Sequence, residues 1–195
     1  TTVTNLGNLN LFDGTYNVYD SPGLGRDVAG SFTTGSDGLS LESVSLLIGG
    51  STDSNGGFSV NLYSDAANAP GTNLGVSFLG AAFPTPEGTF NYTASSPYTL
   101  SANTTYWVVV KMQEAIATGN PYWWLNYSDG TDVGSSFTTV AATAPKFSTD
   151  AGSSWSDYGS GNFRMQLDGF TVVPEPSRAV LAIAGLLGIC FRRRR

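Results

Sequence analysis

The stretch Tyr122-Trp123-Trp124-Leu125-Asn126-Tyr127 gathers four aromatic rings and one carboxamide in six residues. An aromatic ring beside Asp or Asn is the chemistry with which a β-protein holds a sugar: the C–H face of the sugar stacks on the ring, and amides and carboxylates bond its hydroxyls. In an extended strand Trp123 and Leu125 point to one face and Tyr122, Trp124 and Asn126 to the other. One tryptophan can therefore enter the core while its neighbour stays at the surface. Trp123, Trp124 and Tyr127, with Trp155 and Tyr158 from the Ser-Gly-rich stretch 151–162, are the candidate glycan contacts. Packing in the core or over a sheet edge is the competing use of the same rings.

Other chemistries find less support. The chain has no histidine, and its one cysteine, Cys190, lies in an apolar C-terminal run. Intramolecular disulfides, cysteine metal sites and imidazole catalysis are thereby excluded. Asp129 and Asp132, in Ser-Asp-Gly-Thr-Asp, are oxygen ligands on a turn that could hold calcium, although EF-hand spacing and a downstream bidentate Glu are missing. Two carboxylates about 5 to 10 Å apart would suffice for glycoside hydrolysis, but no pair stands out in the sequence. No Gly-x-Ser-x-Gly elbow or Ser-x-x-Lys motif occurs. The expectation is a protein that is not an enzyme and has no cofactor beyond that weak calcium candidate.

The elements that would position these residues are strands. Apolar residues recur with a period of two at Val44, Leu46 and Ile48, at Phe58, Val60 and Leu62, and at Phe90, Tyr92 and Ala94. The same pattern returns at Tyr106, Val108 and Val110 and at Phe163, Met165 and Leu167. Clusters of Gly, Asn, Asp and Pro separate the runs, among them Asp53 to Gly57, Ala69-Pro70-Gly71, Pro84-Thr85-Pro86, Ser128-Asp129-Gly130 and Asp150-Ala151-Gly152. Helical periodicity appears only in the tail. The expected fold is all-β: an antiparallel β-sandwich or jelly-roll-like single domain over 1–172, with roughly eight to twelve strands.

Charge divides the chain in two. Residues 1–173 carry fourteen carboxylates against Arg26, Lys111, Lys146 and Arg164, which leaves ten negative charges. Such a body has no basic stripe to neutralise a row of phosphates, so nucleic acid is excluded as a partner. Twenty-four glycines and only 12% charged residues suit an exported β-protein. The chain begins at Thr1, and prior removal of an N-terminal export leader is expected.

Residues 173–195, VPEPSRAVLAIAGLLGICFRRRR, have a different character. Pro174 and Pro176 stop any helix arriving from the body and present Glu175 on extended chain. The uncharged run 179–191 would make a helix about 20 Å long against roughly 30 Å of hydrocarbon. Arg178 and Arg192 can snorkel to the two interfaces and extend its reach. Arg192, Arg193, Arg194 and Arg195 would stop transfer and stay on the cytoplasmic side, leaving the acidic body outside. A short C-terminal transmembrane helix is the expectation.

Pro174-Glu175-Pro176, the apolar helix 179–191 and the arginine cluster 192–195, in that order, resemble the PEP-CTERM sorting signal of Gram-negative bacteria. That resemblance implies export, a transient inner-membrane anchor, and processing by an exosortase near the Pro-Glu-Pro motif. The body would then be delivered to the cell surface or an extracellular exopolysaccharide matrix, with a part in biofilm or floc. Arg178, next to the motif, and the short apolar run depart from the pattern. The body is similar to the choice-of-anchor R domain in Phe32 to Gly35, Leu41 to Leu46, Val60 to Asp65 with Pro70-Gly71, and Leu100 to Val108. This implies a β-sandwich-like extracellular domain and no particular activity. The function expected from these readings is that of a non-catalytic surface or matrix protein. The alternative is a carbohydrate-binding module that holds exopolysaccharide through its exposed Trp and Tyr residues.

Overall fold

A computed structural model describes residues 2–4, 6, 12–18, 26–49, 58–80, 88–112, 122–127, 138–140, 144–159 and 162–172. The expected helix 179–191 lies outside them. Every regular element among the described residues is a strand. In chain order these are β1 (Thr2–Thr4), β2 (Phe12–Val18), β3 (Asp27–Thr34), β4 (Leu39–Gly49), β5 (Phe58–Asp65), β6 (Pro70–Asn73), β7 (Phe78–Leu79) and β8 (Gly88–Leu100). They continue with β9 (Thr105–Met112), β10 (Tyr122–Tyr127), β11 (Thr138–Val140), β12 (Lys146–Ser148), β13 (Ser156–Asp157), β14 (Asn162–Phe163) and β15 (Met165–Thr171). Fifteen strands exceed the eight to twelve read from the sequence because several are only two or three residues long.

All pairings are antiparallel. An eight-stranded sheet contains β1, β2, β4, β7, β8, β10, β14 and β15, and a seven-stranded sheet contains the rest. One apolar cluster joins them. Val44, Leu46 and Ile48 of β4, Tyr92 and Ala94 of β8, and Met165 and Leu167 of β15 come from the first sheet. Val28 and Phe32 of β3, Val60 and Leu62 of β5, and Val108 and Val110 of β9 come from the second. The period-two residues in this cluster thus form the faces that the two sheets turn toward each other, an arrangement that fits a β-sandwich. Each fully buried Val, Leu, Ile or Phe in it contributes about 1.5–3 kcal/mol.

Gly30 sits among the inward positions of β3. A Cβ there would meet Phe163 Cδ2 at 2.9 Å and Phe163 Cβ at 3.2 Å. Its lack of a side chain lets a phenyl ring of the opposite sheet lie against the β3 backbone. Phe32 adds a stacked ring on Tyr106, with centroids 5.8 Å apart.

The eight-stranded sheet also forks. β15 runs beside β4 until Met165 pairs with Leu46, and the Leu47 N–H then donates to the Arg164 carbonyl at 3.2 Å. Beyond that point the chain turns into β14, and β4 and β14 follow one another along one edge of β10. Trp123 and Trp124 register with Gly49 and Ile48 of β4, and Asn126 and Tyr127 register with Phe163 and Asn162 of β14. The other edge of β10 pairs with β2 along its whole length. The aromatic stretch is therefore an interior strand, hydrogen-bonded on both sides.

Candidate functional site

Two places on the body combine polar chemistry with a fixed frame. The first is the outer face of the seven-stranded sheet, where alternation along β9 turns Trp107, Val109 and Lys111 away from the core. Trp107 is nonetheless fully buried, in a second cluster with Ala29, Tyr63 and Val109. The segment between β12 and β13 covers it: Trp155 packs on this cluster, and the Lys111 ammonium donates to the Ala151 carbonyl at 3.2 Å. Gly152 lies close by, with φ of +87° and a Cβ position 3.0 Å from Lys111 Nζ. A side chain there would press on the ammonium from a backbone conformation that L-residues rarely adopt.

Serine and aspartate hydroxyl and carboxylate groups build that covering segment. The Ser148 hydroxyl donates to Asp150 Oδ1 at 2.7 Å and accepts the Gly152 N–H at 2.8 Å. Asp150 in turn accepts the Ser154 hydroxyl at 2.5 Å and the Ser154 N–H at 2.8 Å. These donors, the Ser154 hydroxyl foremost, hold its carboxyl at a pKa of about 2. Underneath, Lys111 pairs with Asp27 at 3.0 Å and lies over the Tyr63 ring at 5.6 Å. Burial works against its charge, but the Asp27 carboxylate outweighs it and the lysine pKa is raised.

Of the glycan candidates, Trp155 is half-buried in this cover, and its indole N–H is enclosed without a hydrogen-bond acceptor among the described residues. Tyr158 is firmly held. Its hydroxyl accepts from Arg26 at 2.5 Å, the Arg26 guanidinium lies 5.0 Å from the Tyr158 and Phe147 ring centres, and the two rings meet edge to face at 5.0 Å. Trp123, Trp124 and Tyr127 take their places in the interior strand β10 of the eight-stranded sheet, whereas Trp155 covers the seven-stranded one. The Ser-Gly-rich stretch 151–162 contains β13, where Ser156 pairs with Phe147. Asp129, Asp132, Pro174, Glu175, Pro176 and Arg192 to Arg195 lie outside the described residues. Among the described residues no group of three potential metal ligands occurs, and no helix is long and apolar enough to cross a membrane.

The second place was not signalled by any motif. A cleft of about 540 Å³ opens between the sheets, with Asp65 from the end of β5, Tyr98 from β8, Tyr106 from β9, and Leu74 and Asn103 from turns. The β8–β9 turn that forms one wall is tied down at several points. The Thr34 hydroxyl donates to the Ser101 carbonyl at 2.6 Å and accepts the Thr104 N–H at 2.9 Å. The Asn103 N–H donates to the Gly35 carbonyl at 2.9 Å, and Asn103 itself has φ of +49°, a region asparagine tolerates well. Tyr106 accepts the Ser101 N–H at 3.0 Å through its hydroxyl, which leaves its own proton to donate.

Asp65 is exposed but oriented: Oδ1 accepts the Trp107 indole N–H at 2.8 Å and Oδ2 accepts the Asn68 N–H at 3.3 Å. Asp65 and Asn103 are brought together by the pairing of β5 with β9, in which Ser64 stands opposite Tyr106. The residue types were visible in the sequence, but that register is a tertiary fact. No family model matches the chain, and no curated protein or solved structure matches it.

Proposed function

We propose that the protein is an exported, non-catalytic surface or extracellular-matrix component, delivered by its C-terminal segment. The observation that carries this reading is the order of three features at 174–195: Pro174-Glu175-Pro176, the uncharged run 179–191, and Arg192 to Arg195. In this reading 179–191 is a membrane helix oriented by the arginines, and an exosortase acts near the Pro-Glu-Pro motif. The acidic body 1–172, a sandwich of the choice-of-anchor R kind, is then released outside the inner membrane of a Gram-negative cell. The two antiparallel sheets support this role through the large apolar core that they share.

The experiment is intact mass spectrometry of the protein recovered from inner-membrane, outer-membrane and extracellular fractions. A transient precursor in the inner membrane and an outer species shortened near residues 174–177 are expected. A full-length outer species still ending at Arg195 overturns the reading.

A further inference from the structure

We infer that the cleft between Asp65, Tyr98, Asn103 and Tyr106 is a binding site for a neutral carbohydrate. The inference goes beyond delivery of the protein and stands independently of it, since it rests only on the body. Four observations carry it. The cleft, at about 540 Å³, falls within the usual range for small-ligand pockets, roughly 300–1,000 Å³. Among the described residues its lining contains no lysine or arginine, and Asp65 is its one charged group. Anionic ligands such as phosphates or uronates would therefore meet repulsion with no compensating cation. A divalent cation would in turn need several more oxygen ligands than a single carboxylate supplies.

The polar groups match a polyol. The Asp65 carboxylate is held in a set orientation by Trp107 and Asn68, and its remaining lone pairs can accept from two sugar hydroxyls. The Asn103 carboxamide makes no hydrogen bond to the described residues and offers a donor and an acceptor together. The Tyr106 hydroxyl adds a donor. Tyr98 supplies the apolar counterpart: it is half-buried, packs on the core from one side and lines the cleft, and so presents a fixed ring for the C–H face of a sugar. The anchored turn and the indole-oriented carboxylate mean that little ordering is needed on binding.

The test uses the purified full chain in titration calorimetry and in affinity electrophoresis. The neutral probes are cellohexaose, laminarihexaose, maltohexaose and dextran, and alginate is the anionic one. Binding to at least one neutral probe is expected, with alginate binding more weakly. Asn103→Gly, which keeps the turn conformation, and Tyr98→Ala should each weaken binding about tenfold, the loss of one polar or stacking contact. If Tyr98→Ala alters the melting temperature, Tyr98→Leu, which keeps an apolar side chain on the core, is measured in its place. Asn103→Asp takes the place of Asn103→Gly on the same ground. No binding to any neutral probe at about 10 mM, the weak limit of specific recognition, overturns the inference. Preference for alginate overturns it too, as does unchanged affinity in both variants. Failure of the exosortase reading, judged by where the secreted chain ends, leaves each of these outcomes intact.

Discussion

Lys111 lies beneath a loop on the outer face of a sheet, where strand alternation alone would leave it solvated. Asp27 at 3.0 Å and the Ala151 carbonyl at 3.2 Å hold it there. Replacing it in Lys111→Met leaves a mostly buried Asp27 without this cation and should lower stability by about 1 kcal/mol, a figure discounted for partial solvent screening. The pH dependence has a definite sign. The folded-state pKa of Lys111 is above its ordinary 10.5, so its contribution is fully present below that value and is lost as pH rises through the folded value. In urea titrations the gap between the two proteins should therefore stay constant from neutral pH to about pH 10 and begin to narrow as pH rises beyond 10.5.

Asp150 has the opposite sign. Its folded pKa of about 2 is below the ordinary 3.8, so its contribution is present above 3.8 and is lost as pH falls toward 2. The Asp150→Asn protein should lack that acid limb, which stability curves between pH 5 and pH 2 would reveal. Neither residue announced itself in the sequence. Lys111 reads there as an ordinary strand-end lysine, and Asp150 as one more member of an Asp-Ala-Gly turn, because both depend on a loop folding back over the sheet.

At the scale of elements, two backbone positions decide how strands meet. Gly30 lets Phe163 of the opposite sheet approach β3, with only 2.9 Å left for a Cβ. Gly30→Val should cost about 2 kcal/mol through overpacking, measured as a lower denaturation midpoint with an unchanged slope. The β5–β6 turn works the other way. Ala66 and Ala69 exchange two backbone hydrogen bonds around Ala67 and Asn68, whose φ values are +53° and +65°. Two residues with positive φ define the type I′ hairpin, in which Asn suits the first position far better than Ala. Ala67→Asn should raise stability by about 0.5–1 kcal/mol, checked by the same titration.

The strands themselves were legible in advance. Val44, Leu46 and Ile48, Tyr106, Val108 and Val110, and Phe163, Met165 and Leu167 are all buried on inward faces, as alternation required. Turn chemistry was legible less finely: Pro70 and Gly71 belong to β6, and the turn lies just before them. A proline can open a strand as easily as close a turn, since its fixed φ suits both.

At the scale of the molecule, the apolar residues of the shared core among the described residues all lie between Val28 and Leu167. Removing residues 174–195 should consequently change the melting temperature of the body by less than about 2 °C, measured by circular dichroism in detergent for both chains. A larger drop would mean that the tail packs on the body, against the proposed role of a segment read at the membrane.

The sequence by itself determined what local chemistry can determine. Side-chain alternation gave all-β structure and an inward face for each strand, residue counts gave an acidic body without imidazole, and the order of proline, apolar run and arginines set the tail apart. Only the tertiary structure decided which strands are neighbours and in what register. That placed the Tyr122–Tyr127 strand between β2 on one edge and β4 with β14 on the other, covered Trp107 with Trp155, and set Asp65 and Asn103 on the walls of one cleft. The physical reason is that pairing in a sheet is a non-local choice. It is made by the summed packing of two faces and the closing of turns far apart in the chain, and no short window of residues contains it.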